Sequence, residues 1–423
     1  MNIYIFGLGH IGLPLACFIS MLKKNVYGID INPDTISNIK NGDIKMEEYY
    51  KKTHISNLAK KLIDKKRLNV SPEFKRVDNK KSIFIITVGI LDVADGSKDI
   101  SPIISVIETI KPFLVPNDLI ILRTTLIPGT CENTIIPLLL QTGKPFLFSY
   151  CPETMIETRA FLEFYENERI IGAMNDESYI ETKKFFSSIS KCNVFRAPNI
   201  RTAEMAKIVQ NIHRDVNIAL ANEISDAAKM LDIDFYELQR LTNTNPRVEL
   251  LSAGPGVGGY CLPNALGYLK PALIGEKAYK LKLCERARKL NNNRPNQVKS
   301  LIKKALNDVD KPLKGSTVSV LGLAMKDYCA DLRLSPAIDL INLLINEGAI
   351  VKAYDPLVQM LYPFQAKSFD ECVKDSDCLV IMVKQKELRY DGKSLAHLMN
   401  SSPVLVDTRN IIKALPEIHL YKL

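Results

Sequence analysis

The hydrophobic pattern of the chain begins as strand, glycine turn and helix. Residues 2–6 are apolar and β-prone, 11–22 read as a helix, and Asn25–Ile31 read as a second strand. Further short apolar runs predict buried strands at Ser82–Val88, Leu119–Arg123, Phe146–Cys151 and Arg169–Ile171, with helical stretches such as Ile103–Leu114 between them. Strand–helix alternation of this kind predicts a parallel sheet covered on both faces.

The period then changes. Met205, Ile208, Val209, Ile212, Val216 and Leu220 recur at helical spacing within 201–232, which predicts one long, largely buried helix. A second helical pattern covers 278–307 and is interrupted near Asn291–Pro295. Strand signals return at Ser316–Leu323, Ile350–Tyr354, Cys378–Val383 and Val404–Val406, with a helix Ser335–Glu347 stopped at Gly348. The predicted fold class is therefore α/β: two Rossmann-like parallel-sheet domains, 1–199 and 306–423, joined by a central long-helix domain, 200–305. Two α/β units hint at a duplication, although no fixed-period repeat is present.

Composition narrows the class without changing the fold. Of 423 residues, 46% are hydrophobic and 24% charged, which excludes disorder as the main state. The net charge of +9 suits an anionic metabolite as well as a nucleic acid. The basic residues are dispersed, and short patches such as Lys60–Lys61 and Lys65–Lys66 read as a solvated helix face. No basic–aromatic pattern supports nucleic-acid binding. The nine cysteines are odd in number, irregularly spaced and lack a CxxC, which argues against a disulfide framework and a metal site. The N-terminus lacks the basic region and cleavage site of a secretory leader, and no apolar run is long enough for a membrane span. The expectation is a cytoplasmic protein with reduced thiols.

Candidate chemistry sits at the turns. Gly7-Leu8-Gly9-His10-Ile11-Gly12 follows a strand and opens a helix, and Asp30 stands 18 residues past Gly12. That context is a dinucleotide fingerprint: the glycines permit the turn and the approach of a pyrophosphate, and Asp30 meets the ribose 2′-hydroxyl. A carboxylate there repels a 2′-phosphate, so NAD is expected over NADP. Cys261 follows the glycine-dense Gly254-Pro255-Gly256-Val257-Gly258-Gly259-Tyr260, whose glycines suggest no packing reason, so it reads as a nucleophile beside an anion-binding loop. The other eight cysteines read as small buried hydrophobes. Lys207 and Asn211, at i and i+4, share a helix face where they could hold an oxyanion. Glu157, with Glu153 as a second polar contact, follows a strand in Cys151-Pro152-Glu153-Thr154-Met155-Ile156-Glu157 and could act as a general base. Lys326, Arg333 and Arg409 follow strands of the second unit and could bind phosphates. Solvated surface groups are the plain alternative for each of these charged residues.

Taken together the chain resembles the UDP-glucose/GDP-mannose dehydrogenase family over nearly its whole length. The matching segments are Gly7–Gly12, Arg123-Thr124-Thr125 through Pro128-Gly129-Thr130, Cys151-Pro152-Glu153, and Ala203-Glu204-Met205-Ala206-Lys207 with Asn211. They continue with Gly254–Cys261, Leu321-Gly322-Leu323 with Lys326, Asp331–Pro336, Tyr354-Asp355-Pro356 and Asp407-Thr408-Arg409-Asn410. The run Arg214–Ala219, Asn245-Pro246-Arg247-Val248 and the glycine loop resemble the N-acetylhexosamine branch.

The resemblance implies a two-step, NAD-dependent oxidation of the C6 alcohol of a UDP-N-acetylhexosamine to the uronate, for polysaccharide biosynthesis, through a Cys261 thiohemiacetal and thioester. UDP-N-acetylmannosamine is the first candidate substrate; UDP-N-acetylglucosamine and UDP-glucose are alternatives. By the same resemblance Lys207 and Asn211 form the oxyanion site, Glu157 is the base and Thr125 places the water. NAD contacts extend to Gly7, Gly9, His10, Ile11, Gly12, Asp30, Thr87, Thr125 and Arg333. Substrate contacts extend to Glu153, Lys207, Asn211, Arg214, Gly258, Lys326 and Arg409, with Arg247 reaching the partner's site in a homodimer. Two positions depart from the family pattern: Ala265 replaces the usual aspartate four residues after the cysteine, with Asn264 where lysine is frequent, and Gly89-Ile90 replaces Thr-Pro. The first departure leaves a catalytically impaired nucleotide-sugar-binding homologue as a rival reading.

Overall fold

The computed structural model describes residues 1–93, 97–274, 279–413 and 415–423. The chain divides into two compact units, Met1–Gln210 with Gly267–Tyr279, and Asn211–Leu266 with Lys280–Leu423.

The first unit is built on an eight-stranded sheet. Its strands are β1 (Asn2–Phe6), β2 (Asn25–Ile29), β3 (Leu68–Ser71), β4 (Ile83–Ile86), β5 (Asp118–Leu122), β6 (Phe146–Tyr150), β7 (Arg169–Ala173) and β8 (Val194–Arg196), in the order β8-β7-β6-β5-β4-β1-β2-β3. The sheet is parallel, as the alternation predicts, apart from the antiparallel pair β6 with β7. The central strands are buried along their length, since helices cover both faces. Helix Gly12–Met21 is itself almost wholly buried, so it is apolar all round rather than striped. Elsewhere a set of rings covers the sheet: Tyr4 stacks on Tyr27 and Phe84, and Phe74 meets Tyr4 edge-on.

The second unit carries a five-stranded, wholly parallel sheet. Its strands β9 (Thr317–Leu321), β10 (Ile350–Tyr354), β11 (Cys378–Ile381), β12 (Val404–Asp407) and β13 (His419–Lys422) run in the order β10-β9-β11-β12-β13. Each sheet sets its first strand between two later ones, so the turn after that strand lies where the strand order reverses.

The long helix spans Ile200–Met230, as its spacing predicts, but Val209 and Leu220 stand exposed on it, so it is less buried than expected. The later helix runs unbroken over Lys282–Asn307 with Pro295 inside it, against the expected interruption; residue 278, where the pattern starts, lies outside the described residues. Side chains near Pro295 are tied to the long helix. Asn291 bonds Asp215 and Asn222, and Arg294 bonds Asp226. Among the described residues no helix is long and apolar enough to cross a membrane.

Candidate active site

In the first unit the fingerprint turn has the shape a dinucleotide requires. Gly7 lies at φ +89, open to glycine but strained for other residues. A Cβ at Gly12 would overlap the Gly7 carbonyl, so helix and strand meet as closely as backbone allows, while a Cβ at Gly9 would meet nothing within 4 Å. Gly9 therefore offers bare backbone to an incoming pyrophosphate. Asp30 follows β2; its carboxylate accepts from Leu8 N at 2.8 Å and Asn32 N at 3.0 Å. Each oxygen keeps a further lone pair, so the residue latches the glycine turn and can still accept a ribose hydroxyl. Thr87 donates to the carbonyls of Phe6 and Gly7, both at 2.8 Å, which ties β4 to the same turn. His10 is exposed and Ile11 half-buried at the helix entrance. These residues fit NAD.

The catalytic candidates of this unit lie beyond β5 and β6. Thr125 is half-buried in the loop after β5. Glu157 is half-buried, and its Oε1 lies 3.5 Å from His10 Nδ1, which brings the proposed base beside the fingerprint turn. Glu153 is buried and ion-paired with Arg123, and its other oxygen accepts from Thr154 N and Met155 N. Burial pushes its carboxyl up, but Arg123 and Arg169 beside it hold it below the ordinary value. Lys207 is half-buried and Asn211 buried on the long helix. On the same helix Glu204, fully buried, accepts from Gly129 N and Cys131 N, fixing the turn that follows Thr125.

In the second unit Lys326 and Arg409 line one small pocket with Gly256, Asp327, Pro336 and Val383. Arg409 is ion-paired with Asp327, whose other oxygen accepts from Lys384 N at 2.9 Å. Two cations at the ends of β9 and β12 suit the phosphates of a nucleotide. The turn after β9 repeats the first unit: Gly322 lies at φ +86, and Asp355, at the end of β10, accepts from Leu323 N at 2.8 Å. Arg333 is exposed and paired with Asp331; Arg214 and Arg247 are exposed.

The loop before Cys261 does have a packing reason for its glycines, which corrects the expectation above. A Cβ at Gly256 would stand 2.7 Å from Pro336 Cβ, one at Gly258 would stand 2.5 Å from the Leu334 carbonyl, and one at Gly259 would run into Met325. The loop is also pinned by polar groups. Gly254 N donates to Asn222 at 2.9 Å, Arg294 donates to the Gly254 carbonyl, Arg288 to the Val257 carbonyl, and Gly259 N to the Arg333 carbonyl. Arg288 is in turn paired with buried Asp215 at 2.8 Å. Cys261 follows this anchored loop and is the exposed thiol among nine; six of the others are buried and Cys192 and Cys284 are half-buried. Just beyond it Asn264 donates to the Tyr260 carbonyl at 2.9 Å, and Ala265 is buried. Gly89 faces open space and Ile90 is buried.

Sequence reasoning passes over the supporting residues: Glu48, Arg123, Glu204, Asp215, Asn222, Arg288, Arg294 and Asp327. Arg123, Glu204 and Asp215 lie inside the quoted motif segments, so their position was visible although their partners were not. Among the described residues no group of three side chains could hold a metal ion.

Comparison with known proteins gives the same picture. Residues 1–190 match the NAD-binding domain, 201–293 the central domain and 319–414 the UDP-binding domain of the UDP-glucose/GDP-mannose dehydrogenase family. A UDP-N-acetyl-D-mannosamine dehydrogenase of Methanococcus maripaludis is 33% identical, over 97% of this chain and 93% of its own. The solved UDP-D-ManNAc dehydrogenase of Pyrococcus horikoshii superposes with a TM-score of 0.87 at 30% identity, covering 100% of this chain and 99% of its own. A UDP-N-acetyl-mannosamine dehydrogenase of Staphylococcus aureus gives 0.84 at 30% identity, covering 100% and 98%. With the fingerprint turn, the paired cations and the anchored thiol in place, the chain belongs to the UDP-glucose/GDP-mannose dehydrogenase family, as an NAD-dependent oxidoreductase acting on a nucleotide sugar.

Proposed function

We propose that the protein oxidises the C6 alcohol of a UDP-N-acetylhexosamine, UDP-N-acetylmannosamine first, to the uronate in two NAD-dependent steps. The observation that carries this reading is Cys261: an exposed thiol on a loop pinned by buried Asn222, Arg288 and Arg294. Such a thiol is held ready to attack a carbonyl. The choice of sugar is supported by the relatives, named UDP-N-acetyl-D-mannosamine dehydrogenases, that match along the whole chain.

NAD supplies the hydride acceptor for each of the two oxidations. Glu157 takes the hydroxyl proton as the C6 hydride leaves, giving the aldehyde. The Cys261 thiolate adds to that carbonyl, and Lys207 and Asn211 steady the resulting oxyanion. Loss of a second hydride from the thiohemiacetal leaves a thioester. Glu157 releases its proton to solvent and then deprotonates a water placed by Thr125, which cleaves the thioester, returning the thiolate and releasing the uronate. Lys326 and Arg409 hold the UDP, Arg333 reaches the cofactor, and Arg247 reaches the partner's site in a homodimer. In this reading residues 1–199 bind NAD, 200–305 form the dimer and 306–423 bind UDP. Reduced thiols and NAD together favour a cytoplasmic setting.

Ala265 favours one competing reading, a homologue that binds the nucleotide sugar without turnover, because a buried alanine offers no carboxylate beside the thiol. Mixing the protein with NAD and a panel of UDP-sugars separates the two. The expected result is NADH absorbance, two equivalents per sugar, greatest with UDP-N-acetylmannosamine and abolished by Cys261→Ala. Sugar binding without NADH supports the competing reading, and uronate formed at the normal rate by C261A overturns the covalent path.

A further inference from the structure

The turn that carries Glu157 is held by a succession of buried carboxylates. Glu153 accepts from Thr154 N at 2.7 Å and Met155 N at 2.9 Å, and Glu163 accepts from Ile156 N at 2.6 Å. Glu48 accepts from Thr158 N through Oε1 and from Ala160 N through Oε2 at 3.1 Å. Glu153 and Glu163 are local to the turn. Glu48 is not: it is separated from Thr158 by 110 positions and stands just before the small hairpin of Tyr49–Tyr50 and Thr53–His54. It is 1% exposed.

Between the two amides that Glu48 holds, the backbone is strained. Thr158 lies at φ +77, a conformation that a β-branched residue rarely adopts. Strain of this kind persists only where surrounding contacts over-determine it, and it gathers at functional sites. The turn therefore does not keep its shape by local preference; the side chain from the distant hairpin supplies the constraint.

We propose that Glu48 is a positioning residue for the oxidation: by fixing the Thr158 and Ala160 amides it holds the Glu157 side chain where the base is needed. This rests on the reading of Glu157 as the base.

The hold depends on pH. The charged groups facing Glu48 from across the turn are Glu157 and Glu163, with His10 3.5 Å from Glu157 and Arg159 3.8 Å from Glu163 behind them. Along its own hairpin, Glu47 accepts from the Tyr49 hydroxyl and His54 accepts from Ser56 N. Burial, then the two facing carboxylates, push the Glu48 carboxyl up to about 7. Above that pH it makes two charge-assisted bonds to the turn, and below it the bonds lose their charge.

The test compares wild type, Glu48→Gln, Glu48→Asp and Glu157→Gln in steady-state turnover of UDP-N-acetylmannosamine across pH, with UDP and NAD dissociation constants and thermal melts alongside. Glutamine keeps one acceptor but turns an N–H toward Ala160 N, so E48Q is expected to lower kcat by about tenfold at alkaline pH while both dissociation constants stay within about twofold. Wild type is expected to show an acid limb near pH 7 that E48Q removes, and E48D, which keeps the charge, is expected to restore part of kcat. E48D serves alone if E48Q does not fold: an intermediate kcat with unchanged binding supports the proposal, and wild-type kcat and acid limb overturn it. An E48Q protein with wild-type kcat and acid limb overturns it too, as does a kcat loss matched by lost UDP and NAD binding. E157Q turning over at the wild-type rate overturns the base assignment itself. E157Q inactive with E48Q unimpaired overturns only the role of Glu48.

Discussion

Two buried glutamates of the first unit show how neighbours decide what a carboxylate does. Glu153 and Glu48 are both almost closed to solvent. Glu153 has Arg123 ion-paired to it and Arg169 nearby, and stays below the ordinary carboxylate value. Glu48 has backbone amides and the acids Glu157 and Glu163 beside it, and burial pushes it up to about 7. That difference has a consequence for stability. Between the ordinary value of 4.5 and about 7 the folded chain keeps a proton that the unfolded chain has released. The contribution of Glu48 to stability therefore falls as pH rises through that window and levels off above it, by on the order of 3 kcal/mol. Denaturant melts of wild type and E48Q at about pH 5 and about pH 8 check this; E48Q is expected to gain stability relative to wild type at the higher pH. Glu48 carries no signal in the sequence that could reveal its role, because its partners stand more than a hundred positions downstream.

The elements follow the same division between local and distant information. Central strands such as β1, β4 and β9 are legible because burial on both faces makes them continuous apolar runs. The sheet strands that sequence reading passes over, β3, β8 and β13, are all at sheet edges, where exposed residues such as Asn69, Arg196 and Lys422 break the run. The reversal of β7 is equally silent, since direction leaves no mark on composition. Helix starts are more legible. Ser335 caps helix Pro336–Asn346, accepting from Ala337 N at 3.2 Å, and its hydroxyl donates to the Leu323 carbonyl at 2.7 Å. It thereby closes the segment that bears Lys326. Ser335→Ala is expected to cost about 1–2 kcal/mol in a denaturant melt and to weaken UDP binding, measured by titration calorimetry. Unchanged stability would mean that water replaces both bonds.

Across the whole molecule, two nucleotide cradles are built to one plan. In each, a glycine at positive φ ends the first strand, and an aspartate after the second strand captures the amide that follows it: Asp30 with Leu8, Asp355 with Leu323. The fingerprint motif makes the first cradle legible, because its chemistry is confined to a few neighbouring residues. In the second, the strand, the glycine and the cations Lys326 and Arg409 are legible, but the pairing of Arg409 with Asp327 spans 82 positions and emerges only on folding. The two cradles are expected to be separable by mutation. Arg409→Ala should weaken UDP binding by roughly tenfold and Asp30→Ala should weaken NAD binding by a similar factor, each leaving the other ligand's dissociation constant within about twofold. Loss of both affinities in either variant would show that the change unfolds more than its own cradle.

The solvent-facing sulfur at position 261 also bears on how long such a catalyst lasts. Sulfenic and sulfinic acids form most readily on thiols that peroxide can reach, and the six cysteines enclosed in the two cores are shielded from it. Ageing of this enzyme should then begin with chemical damage at one atom while the fold is still intact, so its working lifetime is set by the reductants that surround it rather than by its melting temperature.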